Sequence, residues 1–154
     1  IYSPDDLDLV YSKFSPQLVQ VSLNVFDTRF DKSKWLQKLK KKKVTIQARS
    51  IFLQGILLKS NIELKNKKIN KFLILQHKKY ENWLNKKKIS KLDFCINFIK
   101  RLKYLDIVTF GINDITELYQ IIESMKKKKK ITNKDFSLNK YKIIDPRKWN
   151  IKNV

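Results

Sequence analysis

Apolar and polar residues follow two different spacings along the chain. Residues 18–23 alternate apolar and polar side chains, which predicts a strand, and residues 44–48 and 106–110 predict two more. Apolar side chains about 3.6 residues apart predict amphipathic helices over 31–43 and 114–125. Strands that alternate with helices indicate βα units and a parallel sheet, so the fold class is α/β.

Side chains that suit the N-terminal end of a helix mark three helix starts. Ser3, followed by proline and two aspartates, predicts a helix over 4–13. Ser90, with an aspartate three residues later, predicts the start of another helix. Asn113 or Asp114 is expected to cap the last one.

Two regions rich in lysine have a weaker pattern. Over 59–88 we predict a loop followed by a helix, and over 126–154 a lysine-rich run and an extended tail. Residues 1–125 then form one unit, whose three strands are too few to close a barrel. The chain starts at Ile1 without methionine and enters a helix almost at once, so we expect that an N-terminal portion is missing.

Lysine accounts for most of the charge. The chain carries 35 Lys and Arg residues against 14 Asp and Glu, a formal net charge of +21, and only four of the 35 are arginine. Sites for nucleic acids favour arginine, because its fork binds bases bidentately and its plane stacks on them. With a single alanine and many Ile and Asn residues, the lysine excess is typical of an AT-rich genome. It therefore argues against a nucleic-acid partner.

A basic interaction module is the alternative interpretation. In it, the lysines of 38–43, 86–88 and 126–130 line one face and bind nucleic acid or an acidic surface. Such binding should weaken steeply as the salt concentration rises.

The distribution of apolar residues and the single cysteine limit where the protein can be located and what it can bind. The sequence has no run of about 18 apolar residues, so we expect no membrane span and no membrane partner. Cys95 is the only cysteine, which excludes an internal disulfide and leaves no thiol cluster for a metal. We therefore expect an intracellular, cytoplasmic protein without a metal site.

Three segments at the predicted strand ends resemble one protein family. Residues 19–29 read VQVSLNVFDTR, residues 49–57 read RSIFLQGIL, and residues 108–118 read VTFGINDITEL. In this order they resemble the sixth, seventh and eighth βα units of the aldo/keto reductase barrel. Residues 1–4 resemble the start of its fifth helix, and residues 145–149 resemble the C-terminal ending of one branch. The resemblance covers nearly the whole chain and implies a partial (β/α)8 TIM barrel of roughly units five to eight.

The resemblance implies a site for a nicotinamide cofactor, NADP or NAD. Gln20 matches the glutamine that hydrogen-bonds the nicotinamide carboxamide. Arg49 lies where many members have an aromatic ring that stacks on the nicotinamide, and a guanidinium can also stack. The residues that match the loop along the pyrophosphate are Ser50, Phe52, Gln54 and Gly55. Gly55 is one of only two glycines, so we expect either a positive φ or a close approach of a ligand there.

Two further positions concern the adenosine end of the cofactor. Asn113 matches a residue near the adenosine phosphate. Glu117 departs from the family, which often has glutamine or arginine there. A carboxylate would repel a 2′-phosphate and accept hydrogen bonds from a ribose hydroxyl, so the choice between NADP and NAD stays open.

The catalytic Asp, Tyr, Lys and His of the family lie in its first four βα units, which the resemblance does not cover. We therefore expect the cofactor-binding half of an NAD(P)H-dependent oxidoreductase that reduces carbonyls to alcohols, or the reverse, without catalysis by this chain alone. Its expected partners are the cofactor, a small carbonyl substrate and the missing N-terminal half of the barrel. His77 lies in a lysine-rich region, and we expect an ordinary surface or half-buried histidine there.

Overall fold

The fold is a small parallel sheet with helices packed on one of its faces. A computed structural model describes residues 1–65, 69–128, 131–132, 134–138 and 141–149. The strands are β1 (Leu18–Ser22), β2 (Thr45–Arg49) and β3 (Ile107–Val108). The α-helices are α1 (Pro4–Tyr11), α2 (Arg29–Lys32), α3 (Trp35–Lys41), α4 (Asn61–Lys65), α5 (Lys71–Lys87), α6 (Lys91–Lys100), α7 (Ile115–Lys126) and α8 (Tyr141–Ile144). Short 3₁₀ turns cover Ile56–Leu58 and Pro146–Lys148.

The three strands lie in chain order and are parallel, as the alternation of strands and helices predicts. β1 and β2 pair over five residues, whereas β3 pairs over only two and is shorter than predicted. The side chains of Val21, Ile46 and Ala48 are fully buried on the face that carries the helices. On the opposite face, the register places Ser22 beside Arg49, and both are only half-buried. The open face of the sheet is therefore polar.

The helix predicted over 31–43 is broken in two. Lys34 has φ 63° and separates α2 from α3, and the Ser33 hydroxyl accepts a hydrogen bond from the backbone of Trp35 at 3.3 Å. The break lets Phe30 of α2 and Trp35 of α3 both enter the core. A single continuous helix was therefore the wrong prediction here.

The capping predictions are confirmed. Ser3 and Asp6 form a reciprocal capping box at the start of α1. Ser90 accepts a hydrogen bond from the backbone of Asp93 at the start of α6, and Asp114 caps α7 in the same way.

The lysine-rich region after β2 is more helical than predicted. It forms the short helix α4 and the 17-residue helix α5. α5 buries Leu73, His77, Tyr80 and Leu84 along one stripe. His77 has no exposed surface, so it is a core residue and not a surface or half-buried one. None of the helices in the described ranges is both long and apolar enough to cross a membrane.

The apolar stripe predicted on α7 faces the core only in part. Ile121 is buried, whereas Ile122 and Met125 are exposed over 36% and 38% of their surface. Ile115 and Tyr119 on the same helix are exposed over more than half of theirs. The periodicity predicted the helix correctly but not which of its residues are covered.

The C-terminal segment contributes to the core. Phe136 and Leu138 are buried, and the backbone of Leu138 donates to the Phe26 carbonyl at 2.8 Å. Ile143 and Ile144 of α8 are buried as well. Over its described residues this segment is packed and not an extended tail.

Candidate functional site

A cleft of about 120 Å³ lies at the C-terminal ends of β1 and β2. It contains three of the four arginines of a chain in which lysine is the common cation. We refer to it as the arginine cleft, and to the segment that follows β2, residues 50–55, as the 50–55 loop. The arginine cleft is lined by Tyr2, Ser22, Asp27, Arg29, Arg49, Ser50, Gln54, Ile144, Asp145, Pro146 and Arg147.

Two of the three arginines are paired with buried aspartates. Arg29 contacts both carboxylate oxygens of Asp27, with Nε–Oδ1 and Nη2–Oδ2 distances of 2.8 Å. Arg147 contacts both oxygens of Asp145, with Nε–Oδ1 at 2.9 Å and Nη2–Oδ2 at 2.8 Å. Asp27 and Asp145 are almost fully buried, and bidentate pairing is the strongest geometry for such a pair.

The third arginine, Arg49, has no carboxylate partner among the described residues. Its Nη1 donates to the Ser50 hydroxyl at 3.1 Å, and its guanidinium carbon lies 4.6 Å from the centre of the Tyr2 ring. Arg147 lies 3.5 Å from the same ring, and Arg29 donates to the Tyr2 carbonyl at 3.1 Å. Three guanidinium groups and two carboxylates leave the cleft with one uncompensated positive charge, so it favours an anion.

The 50–55 loop adopts a backbone conformation that most residues avoid. Ser50, Leu53 and Gln54 have φ values of 60°, 48° and 55°, and Gly55 continues the run with 77°. Each left-handed residue other than glycine costs roughly 1–2 kcal/mol, and strain of this kind concentrates at functional sites. A bond from the side-chain amide of Asn24 to the Ser50 carbonyl, at 3.1 Å, helps to hold the loop in place.

The loop leaves hydrogen-bond donors and space beside the cleft. In the described part of the chain, the backbone N–H groups of Gln54 and Gly55 have no acceptor. A Cβ atom added to Gly55 would meet no atom within 4 Å, so the backbone is open to close approach from outside. The expectation of a positive φ at Gly55 is confirmed.

Gly55→Ala is expected to lower the free energy of unfolding by about 1–2 kcal/mol. The cost comes from the left-handed backbone alone, because the new methyl group meets open space. Urea unfolding followed by circular dichroism measures it. The matched control is Gly111→Ala, which also meets no atom within 4 Å and has no left-handed φ. Equal losses in the two variants would contradict the backbone explanation.

The predicted site residues fall into three places. Arg49, Ser50 and Gln54 line the arginine cleft. Gln20 does not, but it lies in β1 two residues before Ser22, and its side-chain amide has no partner among the described residues.

Phe52 is almost fully buried, and its ring stacks on Phe110 with centroids 5.6 Å apart. It therefore joins the loop to the residues that follow β3.

Asn113 and Glu117 lie together at the start of α7, outside the arginine cleft. The Glu117 carboxylate accepts hydrogen bonds from the Asn113 backbone at 2.8 Å and from its side-chain amide at 3.0 Å. The Glu117 backbone donates to Asp114 at 2.9 Å. The Glu117 carboxylate therefore binds the backbone before α7 and the Asn113 side chain, which is a sufficient structural reason for an acid at position 117.

Sequence reasoning missed the partners that complete the cleft. Tyr2, Asp27 and Asp145 were not among the predicted site residues, and neither were the two arginines that the aspartates hold. One signal was available: aspartate and arginine recur two residues apart, at 27 and 29 and again at 145 and 147, in a chain with only four arginines.

Among the described residues, the cysteine and the possible metal ligands do not form a site. Burial raises the pKa of the Cys95 thiol to about 12, so it stays protonated and is a poor nucleophile. The described ranges contain no cluster of three His, Cys, Asp or Glu side chains that could hold a metal ion.

Comparison with solved structures identifies a similar fold. The apo form of aldo-keto reductase AKR11C1 from Bacillus halodurans aligns over 86% of this chain with a TM-score of 0.62 and 11% sequence identity. The aligned region is 46% of that protein, so the chain spans just under half of its length. No known family profile matches the sequence, and no curated protein is similar to it in sequence. The chain therefore has an α/β fold with a small parallel sheet that is similar to part of an aldo/keto reductase.

Proposed function

We propose that this chain is the cofactor-binding half of an aldo/keto reductase barrel, roughly units five to eight, and that it binds NADP or NAD. The observation that carries the proposal is Arg49, an uncompensated cation at the end of β2, beside a strained loop with free N–H donors. A diphosphate needs these groups, because its charge is best neutralised by a cation and its oxygens by backbone donors.

The residues present fit the phosphate part of such a cofactor. The Arg49 guanidinium, the Ser50 hydroxyl and the N–H groups of Gln54 and Gly55 would hold the diphosphate. A volume of about 120 Å³ suits a phosphate group and not a whole dinucleotide. The remaining parts would extend along the open polar face of the sheet.

The nicotinamide part would lie near Gln20 and Arg49. The unpartnered amide of Gln20 offers both a donor and an acceptor for a carboxamide, and the Arg49 plane can stack on the ring. When bound, the cofactor supplies or accepts the hydride that converts a carbonyl to an alcohol or the reverse. These two residues would fix the orientation of the ring.

Proton transfer to the small carbonyl substrate needs a general acid that this chain does not supply. The segments resembling the family cover none of its four catalytic positions, so we propose that catalysis requires the N-terminal half of the barrel as a partner. Asn113 and Glu117 would reach the adenosine end only by breaking the hydrogen bonds between them, so we assign them no contact that would select NADP over NAD.

Titration of the chain with NADPH and NADH, followed by nucleotide fluorescence, tests the proposal. Arg49→Ala is expected to weaken binding about tenfold, close to 1.4 kcal/mol, because it removes the uncompensated charge and the stacking plane. The matched control is Arg101→Ala, which removes an exposed arginine that stacks on Phe98 outside the cleft.

Two outcomes would count against the proposal. The first is the absence of binding for both nucleotides to the folded chain. The second is equal binding by the two arginine variants. A parallel titration with duplex DNA over a series of salt concentrations tests the basic-module alternative, which predicts a steep loss of affinity with salt.

A further inference from the structure

Side chains of the three helices that follow the 50–55 loop form a polar network that cofactor binding does not use directly. His77 is fully buried on α5, with Nδ1 2.8 Å from the side-chain oxygen of Asn61. Asn61 donates its backbone and side-chain N–H groups to Glu81, and Glu81 pairs with Lys91 at 2.5 Å. These four residues, the His77 network, connect α4, α5 and α6.

The hydrogen bonds of the network fix the proton on His77. A carboxylate only accepts hydrogen bonds, so the amide nitrogen of Asn61 must face Glu81 and its oxygen must face the imidazole. Nδ1 of His77 is therefore the donor, and neutral His77 carries no proton on Nε2. That second nitrogen is buried and has no hydrogen-bond partner among the described residues.

The imidazole lies near the backbone of the segment that follows Gly55. The backbone of Ile56, the first residue of the 3₁₀ turn, lies close enough to the ring to influence the His77 pKa. The hydroxyl of Tyr80 donates to the Leu57 carbonyl at 3.3 Å, and its ring packs edge-on against His77 with centroids 5.6 Å apart. The turn after the loop is thus hydrogen-bonded to Tyr80, whose ring packs against His77.

We propose that His77 is a proton-sensitive positioning residue, whose charge state sets the geometry of the 50–55 loop. A second proton would place an N–H on Nε2, which has no hydrogen-bond partner among the described residues, and the backbone of Ile56 is the neighbouring group whose hydrogen bond favours the protonated ring. A buried donor without an acceptor costs free energy until its surroundings move. The turn at Ile56 lies beside the ring and continues directly from the loop. This inference rests on the proposed function, because the loop would hold the diphosphate.

The charged groups around the ring determine the direction of the response. Burial lowers the pKa of His77, Glu81 on the same helix raises it, and Lys91 of α6 lowers it. Asn61 of α4 contributes no charge, and a hydrogen bond with the backbone of Ile56 raises the pKa of His77. Since the net effect lowers the pKa from its ordinary value of about 6.5, His77 is neutral above that pH and takes up its second proton only in more acidic solution.

Because the chain has few histidines and glycines, the coupling between His77 protonation and the 50–55 loop can be tested by NMR. His77 is the only histidine, so one imidazole Cε1–H signal reports its titration. Selective ¹⁵N-glycine labelling gives two amide signals, of which Gly55 lies next to the turn and Gly111 follows β3. We expect the Gly55 amide to shift with the same midpoint as the imidazole, while Gly111 stays unchanged.

Two variants test whether the shift of the Gly55 amide depends on the protonation of His77. His77→Gln retains a donor and an acceptor but does not titrate, so the Gly55 shift at that midpoint should disappear. Glu81→Gln removes the charge that favours the protonated ring, so both midpoints should move together to lower pH. A Gly55 signal that does not follow the imidazole, or that still titrates in His77→Gln, overturns the proposal. Simultaneous loss of the Gly55 and Gly111 signals overturns it too, because protonation would then unfold the whole chain.

Cofactor affinity provides a separate readout. If NADPH binds, its Kd should rise about fivefold or more as the pH falls through the imidazole midpoint, and the rise should be absent in His77→Gln. A pH-independent Kd in the wild-type chain would overturn the coupling. Failure of NADPH to bind at any pH would overturn the proposed function, whereas the glycine signals would still test the role of His77.

Discussion

Replacing Tyr80 with alanine is expected to lower the free energy of unfolding by about 3–5 kcal/mol. The side chain is fully buried, and its ring packs edge-on against Phe26 and Phe136 with centroids 5.5 and 5.4 Å away. Its hydroxyl also supports the Leu57 carbonyl in the turn after the 50–55 loop. Alanine would leave a cavity where helix α5 and the C-terminal segment meet. Urea unfolding followed by circular dichroism measures the loss.

Two other tyrosine variants calibrate this result. Tyr80→Phe keeps the ring and removes only the hydroxyl, so it should cost about 1 kcal/mol. Tyr119→Ala removes a ring that is 62% exposed and should change stability by less than about 0.5 kcal/mol. A loss for Tyr80→Ala no larger than that for Tyr119→Ala would mean that the ring is not central to the core.

Asp27→Ala is expected to destabilise the chain by about 3 kcal/mol or more. Asp27 is 2% exposed, and it holds both Nε and Nη2 of Arg29, whose side chain is only 19% exposed. Removing the carboxylate leaves a largely buried guanidinium without its bidentate partner, and the free energy of unfolding should fall accordingly. Chemical denaturation at neutral pH and moderate salt measures the change.

A surface ion pair is the matched control for this prediction. Glu123 pairs with Lys126 at 2.8 Å, but both side chains are about two-thirds exposed, so Glu123→Ala should cost less than about 0.5 kcal/mol. Removing Arg29 together with Asp27 should recover part of the loss, because no unpaired cation then remains. If Asp27→Ala costs no more than Glu123→Ala, the buried pair does not stabilise the cleft.

The strands could be predicted because their signal is local. Val19 and Val21 alternate with polar residues. In the sheet the two valines are buried on one face, and the polar residues lie on the open face. The 50–55 loop was predicted from the resemblance of residues 49–57 to a family segment, and the structure places Arg49, Ser50 and Gln54 together in one cleft.

The rest of the cleft depends on contacts between distant parts of the chain. Arg147 stacks on Tyr2, which lies 145 residues earlier, and no local sequence pattern predicts such a contact. The break at Lys34 is likewise set by packing, since it lets residues on both sides of it enter the core.

Two structural roles were not predicted although their local signals were present. Leu73, His77, Tyr80 and Leu84 follow the spacing of one helical stripe, but the lysines between them obscured it. Glu117 lies three residues after Asp114, which is the spacing of a capping box, and its carboxylate does bind the backbone before the helix. In both cases the ordinary structural role was readable from sequence.

The connection between β2 and β3 affects how the chain folds. It runs from Arg49 to Ile107, about two and a half times the length of the connection from Ser22 to Thr45. Because the entropy of closing a loop grows with the logarithm of its length, the extra residues cost less than about 1 kcal/mol in equilibrium stability. Contacts between residues far apart in sequence slow folding much more than they lower stability. The helices between these strands therefore add little thermodynamic cost, and pairing of β3 is the sheet contact that demands the longest conformational search.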